Sequence, residues 1–234
     1  MNLALKHGPK ILDMTCEIAG NEAVLDVSGA LYLPQDKLLV VSDMHLEKGT
    51  SWARRGIFLP PYDSKLTLTA LQKVVNRFQP LRILFLGDSF HDKSAPFRLQ
   101  TVELETLNLI AAKHEFIWVT GNHDPEIPDM LPGICCEELH ASGLHFAHIP
   151  TKTFDAEGQL AGHLHPVALI NGRGRNLRRR CFITDGKRMI MPAFGAYTGG
   201  LSVKDNAFNG LFDKPSTRIF VLGDHAVFSM MLTG

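Results

Sequence analysis

Apolar residues along the chain fall into runs of two periods, and each period predicts an element. The early runs at 16–18, 23–27 and 30–33 are short and interrupted by Gly20-Asn21 and Ser28-Gly29, which predicts an antiparallel ribbon at a sheet edge. A continuous apolar run at 37–42 reads as a buried strand. Leu71, Val74, Val75 and Phe78 follow at i, i+3, i+4 and i+7, so an amphipathic helix is expected from Asp63 until Pro80 closes it. Residues 82–86 predict a second strand. Ser94 and Pro96 suit a helix start, with Leu99, Val102, Thr106, Leu107 and Ile110 as its buried stripe. A third strand through Trp118-Val119 stops at Gly121. Strand, helix, strand, helix, strand is the order of a parallel α/β core with right-handed crossovers.

After Pro125, Pro128 and Pro132 the helical period disappears. Short strands are expected around Leu144 and Leu160, at 181–184 and 189–191 across Asp185-Gly186, and at 218–222 and 226–232 across Gly223-Asp224-His225. Such hairpins predict a second sheet with antiparallel pairing, packed on the first. The glycine-rich stretch 195–210 is expected as a surface loop.

Composition narrows the class. With 234 residues, 45% hydrophobic and 21% charged, the chain can bury a substantial core, and residues 1–234 are read as one domain. Lys+Arg and Asp+Glu both number 24, so bulk charge does not mark a nucleic-acid binder and any such role must come from local patches. No basic leader with an apolar segment follows Met1, and no run reaches the roughly 18 apolar residues of a membrane span. A soluble, cytoplasmic protein is expected. Cys16, Cys135, Cys136 and Cys181 match neither a zinc pattern nor a disulfide framework, so reduced thiols are expected.

Chemistry gathers where the apolar runs end. Strand 37–42 runs into Asp43-Met44-His45, strand 82–86 into Gly87-Asp88, and Trp118-Val119 into Gly121-Asn122-His123-Asp124. Leu144-His145-Phe146-Ala147 leads to His148, and Gln159-Leu160-Ala161 leads to Gly162-His163-Leu164-His165. Carboxyl ends of strands in open α/β sheets are where ligands bind. So many carboxylate, amide and imidazole groups exceed the needs of one ion and suit two that share a bridging carboxylate. Asp88 is the natural bridge. Without thiolate the set suits Mn, Fe or Zn better than Mg. Two such cations roughly 3.5 to 4 Å apart can activate a hydroxide and hold a phosphoryl group, which implies hydrolysis of a phosphate ester.

Together these motifs, in this order, resemble the calcineurin-like metallophosphoesterases. The resemblance implies an α/β fold: a four-layer αββα sandwich of two mixed sheets flanked by helices. It implies that Asp43, His45 and His165 bind one metal, Asn122, His148 and His163 the other, and Asp88 both. His123 would protonate the leaving group and Asp124 would orient it. Ser42-Asp43-Met44-His45-Leu46-Glu47-Lys48-Gly49, Ala53-Arg54-Arg55-Gly56 and the stretch Pro192-Ala193-Phe194-Gly195-Ala196-Tyr197-Thr198-Gly199-Gly200 further resemble the DNA ligase-associated metallophosphoesterases, the PdeM family. That closer resemblance implies a DNA damage response endonuclease, partnered with a DNA ligase and a helicase. For the two-metal phosphodiesterase as a whole, manganese is the expected activator. Two departures stand out. His91 occupies a position where many relatives have an acid, and Ile149-Pro150 follows His148 where a glycine is common, which leaves His145 as an alternative ligand.

Other positions carry two readings each. Arg54, Arg55 and His91 are candidate substrate contacts against the plainer reading of solvated side chains. The basic run Arg173, Arg175, Arg178, Arg179 and Arg180 either grips a nucleic-acid backbone or is a solvated loop. Tyr197 and Phe194 either stack on a base or pack their loop, and His114, His140 and His225 read as surface or turn histidines. Beside the nuclease stand a small-molecule phosphoesterase acting on nucleotides or lipid precursors and a non-catalytic scaffold. Complete ligands and an intact His123 speak against the scaffold.

Overall fold

A computed structural model describes residues 12–60, 62–172 and 175–232. Two mixed sheets pack face to face. In the first, β1 (Met14–Ile18), β2 (Asn21–Leu25), β3 (Leu31–Leu33) and β4 (Leu38–Val41) form an antiparallel meander. Beyond β4 the sheet turns parallel through β5 (Arg82–Leu86), β6 (Glu115–Val119) and β7 (Ile134–Cys136). The second sheet runs β15 (Val227–Met231), β14 (Arg218–Leu222), β12 (Arg175–Thr184), β13 (Arg188–Ile190), β10 (Gly158–Ala161), β9 (Leu144–Ala147) and β8 (Glu138–Ala141), with β11 (Val167–Gly172) paired to β12. Within it β9, β10 and β13 are mutually parallel.

Alternation along the strands sorts side chains into layers. Val40, Leu84, Leu86, Ile117 and Val119 face Leu144, Phe146, Leu160, Phe182 and Phe220 across the space between the sheets. Their neighbours Leu39, Val41, Ile83, Phe85 and Trp118 point the other way, onto the helices. There α2 (Asp63–Phe78), which follows the short α1 (Lys48–Ala53), buries Leu68, Leu71, Val74 and Val75, and ends where Gln79 turns left-handed before Pro80. The helix α3 (Thr101–Ala111) starts later than expected. Glu103 accepts a hydrogen bond from the Gln100 backbone N–H at 2.8 Å, which fixes the start at Thr101. That start turns Val102 to solvent and leaves Leu107 and Ile110 inside. Residues 95–98 form a separate 3₁₀ turn.

Among the described residues the α-helices flank the first sheet only. The outer face of the second sheet is covered by the stretch 202–217, whose Val203 and Phe208 are buried against Ile183, Ile219 and Val221. The glycine-rich segment expected as a surface loop is therefore in part a packing layer. No helix among the described residues is long and apolar enough to cross a membrane.

Candidate metal centre

The parallel strands of both sheets deliver their carboxyl ends to one place. Asp43 and His45 follow β4, Asp88 follows β5, residues 121–124 follow β6, His148 follows β9, and His163 and His165 follow β10. After β4, β5 and β10 the chain enters the left-handed region: φ is 53° at Asp43, 44° at His45, 46° at Asp88, 67° at His163 and 46° at His165. Non-glycine residues rarely adopt such angles, and each costs on the order of 1 kcal/mol or more unless its surroundings over-determine it. Here they do. Asp43 N–H donates to Gly87 O at 3.1 Å, His45 N–H to Asp88 O at 2.9 Å and His163 N–H to Asp43 Oδ2 at 3.1 Å. Gly162 is required by contact, since a Cβ there would run into Ser42 Oγ and Asp43 Oδ2.

Two groups of ligand-type atoms result. Asp43, His45 and His165 form one and Asp88, His148 and His163 the other, the donor atoms of each lying within 4.8 Å of one another. His165 Nε2 is 2.9 Å from Asp43 Oδ1, and His45 Nε2 lies 3.5 Å from His165 Nε2 and 3.9 Å from Asp88 Oδ2. In the second group His148 Nε2 is 3.3 Å from Asp88 Oδ2, 3.1 Å from Asn122 Oδ1 and 3.3 Å from His163 Nδ1. Asp88 thus touches both groups.

The electrostatics suit divalent cations. Burial alone would raise the Asp43 carboxyl, yet the imidazoles of His165, His148 and His45 hold it at about 2. Asp88 is likewise held below its usual range, burial being outweighed by His148, the His123 N–H and His45. Both carboxylates are buried, and among the described residues imidazoles alone form ion-pair contacts with them. Burial lowers His45 to about 3 and also lowers His163, keeping both neutral as ligands must be. His148 goes the other way, to about 9, because Asp88 and Asp43 overcome its burial. His45 Nδ1 is buried without a hydrogen-bond partner. Carboxylates with no fixed cation, interleaved with neutral imidazoles and no thiolate, fit a pair of borderline divalent ions.

His123 stands at the open side, with 41% of its side chain exposed and Nε2 3.9 Å from Asp88 Oδ2. Its Nδ1 meets His91 O at 2.9 Å. The expectation that Asp124 orients this ring is corrected. The Asp124 carboxylate accepts from the backbone N–H groups of Gly121 at 2.9 Å, Asp88 at 3.0 Å and Phe90 at 3.0 Å. It is fully buried and ties the β6 loop to the β5 loop, burial pushing its carboxyl up to about 7 against those N–H groups.

His148, past the end of β9, reaches the centre, whereas His145 within β9 points to Glu138 at 2.7 Å and Gln159 at 3.2 Å. His91 is brought in: its ring stacks on that of His123 at 5.3 Å. Burial, Lys48, His123 and Arg55 together hold the His91 imidazole down at about 4. Lys48 therefore belongs to the site's surroundings, and the sequence reading missed it, although it lies only three residues beyond His45. Arg54 is exposed and donates to Ser94 Oγ at 3.3 Å.

The basic run is not the grip it could have been. Arg180 is half-buried and donates to Ala193 O at 2.6 Å and Phe194 O at 3.4 Å, bracing the loop whose own N–H groups bond Ser42 O and Asp43 O. Arg179 pairs with Asp224 at 3.2 Å, and Arg178 donates to Gly200 O. Arg173 and the side chain of Arg175 lie outside the described residues. Phe194 is buried, and Tyr197 donates to Pro60 O at 3.1 Å, so both pack their loop.

A family model for the calcineurin-like phosphoesterases matches residues 36–188, a span that includes all five strand-end motifs. Among solved structures, the nuclease MPE of Pseudomonas putida is similar at 23% identity, over 93% of this chain and 100% of that one, with a TM-score of 0.73. At that identity the likeness is one of fold. Yfce, a phosphoesterase from E. coli, is more distant, at 17% identity over 84% of this chain and 99% of that one, with a TM-score of 0.42. No curated protein matches the sequence.

Proposed function

The chain belongs to the calcineurin-like phosphoesterases, and from that membership we propose that it is a two-metal phosphodiesterase that cleaves the backbone of a nucleic acid, DNA in particular, as an endonuclease. The observation that carries the reading is the pair of ligand groups sharing Asp88 at the strand ends. Asp43, His45 and His165 would hold one ion, Asn122, His148 and His163 the second, and Asp88 both. When bound, such a pair supplies Lewis acidity and neutralises charge on a phosphoryl group, and manganese is the proposed activator.

The chain's own groups do the rest. His91 O accepts from His123 Nδ1–H, which leaves Nε2 as the atom that gives a proton to the leaving oxygen, the ring passing from the imidazolium, protonated on both nitrogens, to the Nδ1–H tautomer. Asp124 acts one step back, holding Asp88 in register through its N–H. Arg180 holds the loop that caps Asp43. The substrate assignment draws support from the shared fold of a protein described as a nuclease. Association with a DNA ligase and a helicase, in the response to DNA damage, follows from the sequence resemblance and is part of the same proposal.

A panel of bis-p-nitrophenyl phosphate, a monoester, cyclic nucleotides and DNA oligonucleotides, run with manganese, zinc and iron on metal-stripped protein, tests the reading. Internal cleavage of the oligonucleotide is the expected result. Activity confined to nucleotides or small diesters would transfer the protein to the small-molecule phosphoesterases, and none with any metal would leave a scaffold.

A further inference from the structure

Large apolar side chains normally sit inside, yet beside this centre several do not. Phe58 is 84% exposed, Phe97 68% and Ile57 51%. Phe97 lies on the 3₁₀ turn Ala95–Arg98, and Ile57 and Phe58 follow closely after the helix Lys48–Ala53. The helix Lys48–Ala53 packs on the 3₁₀ turn Ala95–Arg98, fastened by Arg98 Nε to Thr50 Oγ1 at 3.0 Å and Arg54 Nη1 to Ser94 Oγ at 3.3 Å. The same surface is basic although the chain as a whole is neutral. It carries Lys48, Arg54, Arg55 and Lys93, and its acid Asp92 is already bound by Arg98 at 2.7 Å. Asp63, behind Lys48, is buried and accepts from Gly49 N–H at 3.0 Å. The surface runs directly into the centre, since His91 stacks on His123 and feels both Lys48 and Arg55.

We propose that this basic, aromatic face is the track for the unpaired nucleotides flanking the scissile bond, with Phe58 and Phe97 as stacking platforms and Lys48, Arg54 and Arg55 on the phosphates. Exposed aromatic rings among cations are what a single strand needs, because every unpaired base offers a π-face and every linkage a charge. A duplex hides its base faces and would meet the cations alone. The proposal rests on the nucleic-acid reading above, and it places the strand on this face and not on Arg178, Arg179 and Arg180, which their own carbonyl and carboxylate partners occupy.

Fluorescence anisotropy of a labelled oligothymidylate with the full chain in EDTA tests it. Turnover of bis-p-nitrophenyl phosphate with manganese, a substrate that has no neighbouring nucleotides, reports the centre separately. Stacking is worth about 1–3 kcal/mol per base by alanine substitution, so Phe58→Ala and Phe97→Ala should each weaken binding about 5-fold or more, with Phe58→Trp restoring it. Arg55→Ala should flatten the dependence on salt. Both side chains are exposed, so the variants fold. Unchanged oligothymidylate affinity in both alanine variants, or equal affinity for a blunt duplex, overturns the track. Absence of diester turnover in the parent protein overturns the functional reading instead, and the two failures are told apart by the two readouts.

Discussion

Among the described residues histidine and carboxylate gather in two places, and only one of them is built to take a metal. At the strand ends, nitrogens and carboxylate oxygens crowd together with no fixed cation among them, and His45 Nδ1 lacks a partner. On the second sheet, Glu138, His140 and His145 also bring donor atoms within 4.8 Å, with the two rings stacked at 4.6 Å across the β8–β9 pair. Here the hydrogen bonds have already settled the proton of His145. Arg188 Nε can only donate, so Gln159 must turn its carbonyl oxygen toward it at 2.9 Å. The Gln159 amide then donates to Thr151 Oγ1 at 3.0 Å and faces His145 Nδ1 at 3.2 Å, which makes Nδ1 the acceptor and places the proton on Nε2. That Nε2–H donates to Glu138 at 2.7 Å. Neither nitrogen keeps a free lone pair. Ligand spacing alone does not make a site; the partners behind the ligands decide.

The sharpest way to break this contrast is Asp88→Asn. It removes the shared charge, and losing several kcal/mol of charge stabilisation should cut diester turnover about 10³-fold or more, checked by steady-state kinetics with saturating manganese. Next comes His123→Ala, expected to keep its metal content while oligonucleotide cleavage falls about 10²-fold or more. Bis-p-nitrophenyl phosphate, whose leaving group needs no proton, should suffer less, so equal losses on both substrates would remove His123 from its role. Asp124→Asn keeps its shape but exchanges one acceptor for a donor facing backbone N–H groups. It should weaken metal affinity about 10- to 100-fold by titration, in line with other supporting partners of ligands. The smallest effect belongs to the other cluster. His140→Ala, at an exposed position, should change metal content not at all and stability by about 0.5 kcal/mol or less in urea unfolding.

Much of this was legible in the sequence, for a local reason. Apolar runs of strand length end at Ser42, Leu86 and Thr120, and a residue that follows a buried parallel strand has nowhere to go but the carboxyl edge. The odd spacing of His145 and His148 already separates them, one within β9 and the other beyond it. What was not legible depends on partners far along the chain. Arg178, Arg179 and Arg180 read as a free basic run because their acceptors, Ala193, Phe194, Gly200 and Asp224, come from other segments. Asp124 read as a companion of its neighbour His123, whereas the N–H groups it serves belong to the β5 loop. Val102 was assigned to the buried stripe because Pro96 suggested a helix start that the bond between Gln100 and Glu103 moves to Thr101. Phe58 and Phe97 carry no sequence signal of their own, since exposure leaves no mark in composition.

Metal content per chain tests the central claim most directly. Protein stripped with a chelator, reloaded with manganese, freed of excess and analysed by mass spectrometry of the metal should hold two ions per chain, and Asp88→Asn at most one. Two ions retained by Asp88→Asn, or ions lost on substituting His140 instead, would contradict a shared pair at the strand ends.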